Sequence, residues 1–184
     1  MTDEVKLIVL DRDGVINEDS AAYIKSPAEW RPLAGSIEAI ATLNAAGFEI
    51  VVVSNQSGIG RGLFSEESLE AIHRKLNEVV AAAGGRIGGI YYCPHAPDED
   101  CECRKPRPGL LRQVADDFDV SLESVPVLGD KASDIEMARR VGARPILVLT
   151  GYGQETAGSI SDDAVETFAD LAAAAATLIR EASS

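Results

Sequence analysis

Asp11 and Asp13 stand two residues apart, directly after the aliphatic run Val5–Leu10 and directly before Gly14. A run of that kind, rich in β-branched residues, predicts a strand buried on both faces. Two carboxylates where such a strand meets its loop are costly to bury unless a cation or a donor meets them. Two other segments repeat the pattern. Ser54 and Asn55 close a second apolar run, and Asp130 and Lys131 close another that ends at Gly129. Asp11, Asp13 and Asp130 offer hard oxygens of the kind that hold Mg²⁺, an ion that takes a few carboxylates together with water and phosphate oxygens. Ser54, Lys105 and backbone N–H groups can hold phosphate oxygens. A carboxylate nucleophile beside a second carboxylate and a divalent ion can accept a phosphoryl group. Each residue alone could be turn or cap chemistry. Their recurrence at strand ends points to phosphoryl transfer.

A second constellation is Cys93, His95, Cys101 and Cys103. One imidazole and three thiolates make a closed tetrahedral Zn²⁺ set, with no open position for a catalytic water. Three cysteines is an odd number and all lie within one short segment, which speaks against a disulfide framework. Buried free cysteines or a redox pair are the alternatives. Structural zinc would pin a loop that has little core of its own. Arg104 and Lys105 follow Cys103 directly, so the same ion would also aim two phosphate-binding side chains.

The elements that must position these groups alternate along the chain. Strands are expected at Val5–Leu10, Phe48–Val53, Ile87–Tyr92, Val125–Leu128 and Pro145–Leu149. Helices are expected from Gly35-Ser36 to Gly47, from Ser65 to Gly84-Gly85, over Pro108–Phe118 and Ser133–Val141, and over the alanine-rich Val165–Ala182. Ser65 is the expected N-cap, with Phe64 and Leu69 at staple positions. Such alternation predicts one α/β domain over residues 1–184, a doubly wound parallel sheet with right-handed crossovers. The long polar and aromatic loop Glu18–Arg31 is of a length that is often functional.

Bulk composition narrows the partners. With 17 Lys and Arg against 30 Asp and Glu, the net charge is −13, which argues against nucleic acid or an anionic membrane surface. No apolar run has the length of a membrane span, and MTDEVKL lacks the pattern of a secretory signal. A cytoplasmic monomer acting on a small molecule is the expectation.

Asp11-Arg12-Asp13-Gly14-Val15 resembles the DxDG[TV] signature of the haloacid dehalogenase superfamily. Ser54-Asn55, Arg104-Lys105-Pro106 and Gly129-Asp130-Lys131-Ala132-Ser133-Asp134 resemble its later motifs in order and spacing. SNQSGIGRG (54–62), YYCPH (91–95) and CECRKPRPG (101–109) are similar to the heptose-bisphosphate phosphatase branch. The short spacing between His95 and Cys101 also resembles the related histidinol-phosphate phosphatases. The resemblance implies a Rossmann-like fold without a separate cap domain, and a Mg²⁺-dependent phosphomonoesterase with a small sugar bisphosphate as substrate. It implies that Asp11 is the nucleophile and that Asp13 is the acid and base, binding Mg²⁺ through its backbone carbonyl. Asp11 and Asp130 would bind the ion through carboxylates, and Ser54 and Lys105 would steady the phosphoryl group. Arg12, Asp19, Ser20, Tyr23, Asn55, Gln56, Ser57, Arg104 and Lys131 would face the substrate. The loops 18–31 and 57–64 and the zinc loop 93–103 would wall the pocket. A phosphate-accepting receiver module is the competing class, but its acceptor belongs at the end of a later strand.

Other residues have plainer expectations. His73 is expected on a helix surface. Trp30 is either a loop anchor or a pocket wall. The acidic run 98–102 is expected as a solvated face near Arg104 and Arg107, and Arg61 could reach a phosphate or form an ion pair.

Overall fold

A computed structural model describes residues 5–161 and 165–184. Its strands are Lys6–Leu10 (β1), Phe48–Asn55 (β2), Gly89–Cys93 (β3), Pro126–Gly129 (β4), Arg144–Val148 (β5) and Glu166–Phe168 (β6). Its helices are Ser36–Ala45 (α1), Glu66–Ala82 (α2), Gly109–Phe118 (α3), Ala132–Arg139 (α4), Gly153–Ser159 (α5) and Leu171–Ala182 (α6). The strands form one parallel sheet in the order β3-β2-β1-β4-β5-β6.

The aliphatic runs are unbroken because both faces of the sheet are covered. Ile8, Leu10, Ile50 and Val52 pack with Ile40, Leu43, Ile72, Leu76 and Leu178 on one side. Leu7, Val9, Val51 and Val53 pack with Leu111, Val114 and Met137 on the other. Alternate residues of each strand therefore feed opposite layers, as the pleat requires. Helix α2 shows how the covering layer is written in sequence. Ser65 caps it by accepting the Ser68 N–H, and Leu69, Ile72, Leu76 and Val80 form its buried stripe.

After β1 the chain lays β2 and β3 to one side, then returns to place β4 against the other side of β1. Such a reversal opens a crevice at the carboxyl ends of the two central strands. Asp11 follows β1 and Asp130 follows β4, so both stand at that crevice.

The C-terminal third departs from expectation. The segment expected as one helix from Val165 divides into β6, which pairs Glu166–Phe168 with Ile146–Val148, and α6. Asp170 separates them by accepting the Ala173 N–H at 2.8 Å. Helix α5 was not anticipated; it is short and begins at a glycine. Trp30 settles as an anchor. It is 1% exposed within the core, and Lys75 Nζ donates to the carbonyls of Pro27 and Trp30 at 2.6 and 3.1 Å.

Candidate active site

Four strand ends supply the site. Asp11 is held by its own turn, since Oδ1 accepts the Arg12 N–H at 2.8 Å. Lys105 Nζ bridges Asp11 Oδ1 at 3.0 Å and Asp134 Oδ1 at 2.7 Å, and its side chain is almost fully buried. Lys105 is itself set by Asn55, whose Oδ1 accepts the Lys105 N–H at 3.0 Å while Nδ2 donates to the Lys105 carbonyl. The end of β2 thus fixes a lysine fifty residues away in sequence. Asp134 is locked at the start of α4, where Oδ2 accepts the Lys131 N–H at 3.1 Å.

Asp11, Asp130 and Asp134 are all buried, and each has a carboxylate oxygen within 4.8 Å of the others. Burial, together with Asp134 and Asp130, pushes the Asp11 carboxyl up to about 8 against the pull of Lys105. Asp130 is raised as well, by burial first. Its Oδ1 atom is buried without a hydrogen-bond partner, and the nearest ammonium, Lys131 Nζ, is 3.6 Å away. An orphaned carboxylate oxygen among crowded acids is the environment that a divalent cation relieves. The donor set therefore fits Mg²⁺.

Asp130 is held from the far side by the loop after β5 and by α5. Tyr152 N–H donates to its Oδ2 at 2.9 Å, Thr156 Oγ1 to its carbonyl, and Thr150 Oγ1 to the Gly14 carbonyl. Gly14 and Gly151 have φ of +87° and +56°, and a Cβ on either would come within 2.1 and 2.3 Å of Asp130 Oδ2. Only glycine fits these two places.

A cavity of about 390 Å³ opens beside the acids. Asp11, Asp13, Asp19, Ser20, Tyr23, Asn55, Gln56, Ser57, Arg104, Lys105 and Lys131 line it, with Asp134 and Tyr152 added. Ser54 lies just beneath, 1% exposed, accepting from Gln56 Nε2 at 2.9 Å. Arg104, which lines the cavity, also has a buried Nη1 without a hydrogen-bond partner. Lys131 reaches Asp19 Oδ2 at 2.7 Å and lies 4.9 Å from the Tyr152 ring centroid, tying loop 18–31 to the end of β4. Of loop 57–64 only Ser57 reaches this cavity, and Arg61 is exposed. A larger groove lies at the opposite edge of the sheet, lined by Lys6, Phe48, Phe118 and Pro126, and no metal-ligating cluster of the described residues falls in it.

Arg12 departs from expectation. Its side chain is fully buried and faces Asp13 and His73 instead of the cavity. His73, expected on the surface, is half-buried against it. Asp134 and Tyr152 were not singled out from sequence; the fourth-motif segment ending in Ser133-Asp134 held the only available hint.

The cysteine loop brings its four ligands together as the sequence predicts, but it does not wall the pocket: residues 93–103 stay outside the cavity, and only Arg104 and Lys105 just beyond them line it. Cys93 Sγ lies 3.1 Å from Cys103 Sγ and 3.7 Å from Cys101 Sγ, and His95 Nδ1 lies 3.2 Å from Cys103 Sγ. None of the three cysteines is in a disulfide. Ligands at about 2.3 Å from a tetrahedral zinc stand about 3.8 Å apart, so these residues fit the ion with small adjustments. Arg107 ties the acidic run down by donating to Asp100 and to the Cys101 carbonyl. Cys101→Ser is expected to lower bound zinc below about one ion per chain and to cut turnover at least severalfold, because Arg104 and Lys105 leave the loop directly after Cys103. Metal analysis alongside phosphate release checks this; full activity with depleted zinc would separate the loop from the site.

Residues 102–174 match the HAD-hydrolase-like family model. The chain is 51% identical over 175 residues to D-glycero-β-D-manno-heptose-1,7-bisphosphate 7-phosphatase of Pseudomonas putida, covering 95% of this chain and all of the relative. It superposes with a TM-score of 0.94 and 46% identity on the D,D-heptose 1,7-bisphosphate phosphatase of B. bronchiseptica complexed with magnesium and phosphate, covering 96% of this chain and 99% of that one. The corresponding phosphatase of Burkholderia thailandensis gives a TM-score of 0.75 at 40% identity, covering 95% and 98%.

Proposed function

We infer the activity of this chain from its family, since it belongs to the HAD-like hydrolases alongside the D-glycero-β-D-manno-heptose-1,7-bisphosphate 7-phosphatases. It is a Mg²⁺-dependent phosphomonoesterase that removes the 7-phosphate of D-glycero-β-D-manno-heptose 1,7-bisphosphate and leaves the 1-phosphate. The observation that carries this is the buried acid cluster with an orphaned Asp130 oxygen at the mouth of a polar cavity. A cytoplasmic, monomeric enzyme suits a small, highly charged substrate of this kind; no helix among the described residues is long and apolar enough to cross a membrane.

In the proposed reaction an Asp11 oxygen attacks the 7-phosphorus, and the bond to the sugar O7 breaks. Asp13 gives that oxygen its proton, so heptose 1-phosphate leaves as the alcohol. Water then attacks the phosphorus of the aspartyl-phosphate while Asp13 takes its proton, which releases phosphate and restores Asp11. Lys105 and Ser54 hold the phosphoryl oxygens throughout. Gln56 donates to Ser54 Oγ, which leaves the hydroxyl proton free for a phosphoryl oxygen. Asp11, Asp130 and the Asp13 carbonyl would hold Mg²⁺, which supplies positive charge against the charge that develops on the phosphoryl group. Arg104 and Lys131 supply the cavity wall with cations for the rest of the substrate.

Supplying the bisphosphate with Mg²⁺ and identifying the product tests the reading: heptose 1-phosphate and free phosphate are expected, in repeated turnover. Histidinol phosphate, run beside it, is expected to turn over far more slowly; a preference for it would overturn the substrate assignment. A single stable phosphorylation of the protein would mark a receiver-like switch instead.

The clamp on Asp130 gives a second prediction. Gly151→Ala meets both a left-handed backbone, worth about 1–2 kcal/mol for an L-residue, and the Asp130 carboxylate. It is expected to weaken Mg²⁺ binding roughly tenfold, the factor that about 1.4 kcal/mol gives. Calorimetric titration of the protein with Mg²⁺ measures this directly.

A further inference from the structure

Asp13 has two oxygens with unlike surroundings. Oδ1 accepts from Arg12 Nε at 3.0 Å, Arg12 Nη2 at 2.8 Å and Asn17 Nδ2 at 2.8 Å. Oδ2 accepts from Gln56 Nε2 at 3.1 Å. Arg12 is fully buried, and its remaining terminal nitrogen, Nη1, lies 3.3 Å from His73 Nε2 on α2. The His73 ring in turn packs on Tyr92, with centroids 5.8 Å apart. A chain of contacts therefore runs from the outer helix layer to one oxygen of one carboxylate.

We propose that Arg12, held in place by His73, is a positioning residue that occupies Oδ1 of Asp13 and so confines proton transfer to Oδ2. The inference rests on the acid–base role given to Asp13 above. A carboxylate has about four lone-pair sites across its two oxygens, so three donors at Oδ1 leave no room for an O–H there. A proton on Oδ1 would face N–H groups that cannot accept it. Oδ2 has a single donor, and Gln56 keeps a second acceptor in Ser54 Oγ when Oδ2 takes a proton. The Asp13 side chain is 18% exposed and lines the cavity, whereas Arg12 does not. Arginine suits the task because its fork aims two N–H groups at one oxygen, and lysine has no such fork.

His73 meets the requirement at the outer end of the chain. Burial, reinforced by the Arg12 charge, lowers its pKa to about 4, so at neutral pH the ring is uncharged and Nε2 can accept from Nη1. An apolar side chain would leave Nη1 buried without an acceptor.

Leaving groups separate positioning of the acid from general damage. Expulsion of a sugar alkoxide needs a proton, whereas expulsion of p-nitrophenolate does not. The measurement is kcat/KM, with Mg²⁺, on the heptose bisphosphate and on p-nitrophenyl phosphate for Asp13→Ala, Arg12→Lys, His73→Leu and His73→Gln. That quantity reports the steps up to departure of the leaving group and not the later hydrolysis that both substrates share. Asp13→Ala is expected to lose about 10²-fold or more on the sugar and much less on the aryl ester. Arg12→Lys and His73→Leu are expected to lose roughly tenfold on the sugar and less than about twofold on the aryl ester, a fraction of the full acid's contribution. His73→Gln, which restores an acceptor, is expected to bring the ratio back toward that of the unaltered protein. His73 variants keep the test decisive if Arg12→Lys does not fold. Equal losses on both substrates, or no loss, for His73→Leu would overturn the inference while Asp13→Ala still discriminates. If Asp13→Ala lowers both rates alike, the acid–base reading of Asp13 falls and the inference falls with it.

Discussion

Asp11→Asn is expected to bring steady-state phosphate release down by roughly 10⁴-fold or more, since removing a covalent nucleophile elsewhere costs as much as about 10⁶. The fold is expected to survive. Asparagine has the same shape, and its carbonyl oxygen can still accept from the Arg12 N–H and Lys105 Nζ, which hold Asp11 Oδ1 now. The charge it removes is one the metal-free protein bears at a cost, because burial and the neighbouring Asp134 and Asp130 already raise the Asp11 carboxyl to about 8. Thermal stability without Mg²⁺ is therefore expected to equal or exceed that of the unaltered chain. The two results together are diagnostic: a stable protein that cannot turn over has lost chemistry and not structure. Acid quenching with radiolabelled substrate extends the test, because the unaltered chain should retain label as an acyl phosphate and the variant should not. Measurable multiple turnover by the variant would remove Asp11 from the role of nucleophile.

What could be read from sequence was whatever local pattern determines. The aliphatic runs of β1, β2, β4 and β5 and the stripe of α2 announce their burial by their own periodicity, and the residues closing those strands converge because the sheet is parallel. Strand β6 could not be read in this way. It is three residues long, pairs only along β5 and leads straight into an alanine-rich helix, so its identity comes from the neighbouring strand and not from its side chains. Asp134 hid for a related reason: beside Ser133 at a helix start it looks like capping chemistry. It does bond the Lys131 N–H, yet its other oxygen meets Lys105. Arg12 and His73 are 61 positions apart, and nothing in either segment says that α2 crosses beneath the first motif. Sequence located the chemistry, while the contacts that aim it were tertiary.

Lys105→Met is expected to damage both activity and stability, and Mg²⁺ should separate the two effects. Lys105 is 5% exposed and is the ammonium that meets Asp11 and Asp134 at hydrogen-bond distance. Burial favours its neutral form, but the two carboxylates outweigh that and raise its pKa, so it stays charged. Methionine fills a similar volume and leaves the acids facing one another. Breaking a buried ion pair from one side costs about 3–5 kcal/mol. In a chain of this size each kcal/mol moves the melting temperature by about 2–4 °C. The metal-free variant should therefore melt on the order of 10 °C lower. A divalent cation at the cluster offsets the same repulsion, so added Mg²⁺ should raise the variant's melting temperature by more than it raises that of the unaltered chain. Turnover should not follow. Losing a preorganised donor to the transferring group costs about 10²–10³-fold in kcat, and saturating Mg²⁺ cannot return a donor that is no longer there. Lys105→Arg should not rescue turnover, because the slot between Asp11 and Asp134 is closed to solvent and a guanidinium needs more width than an ammonium. A variant whose kcat recovers with Mg²⁺ would show that Lys105 only balances charge in the resting protein. One that stays slow while its stability recovers would place the ammonium on the phosphoryl group.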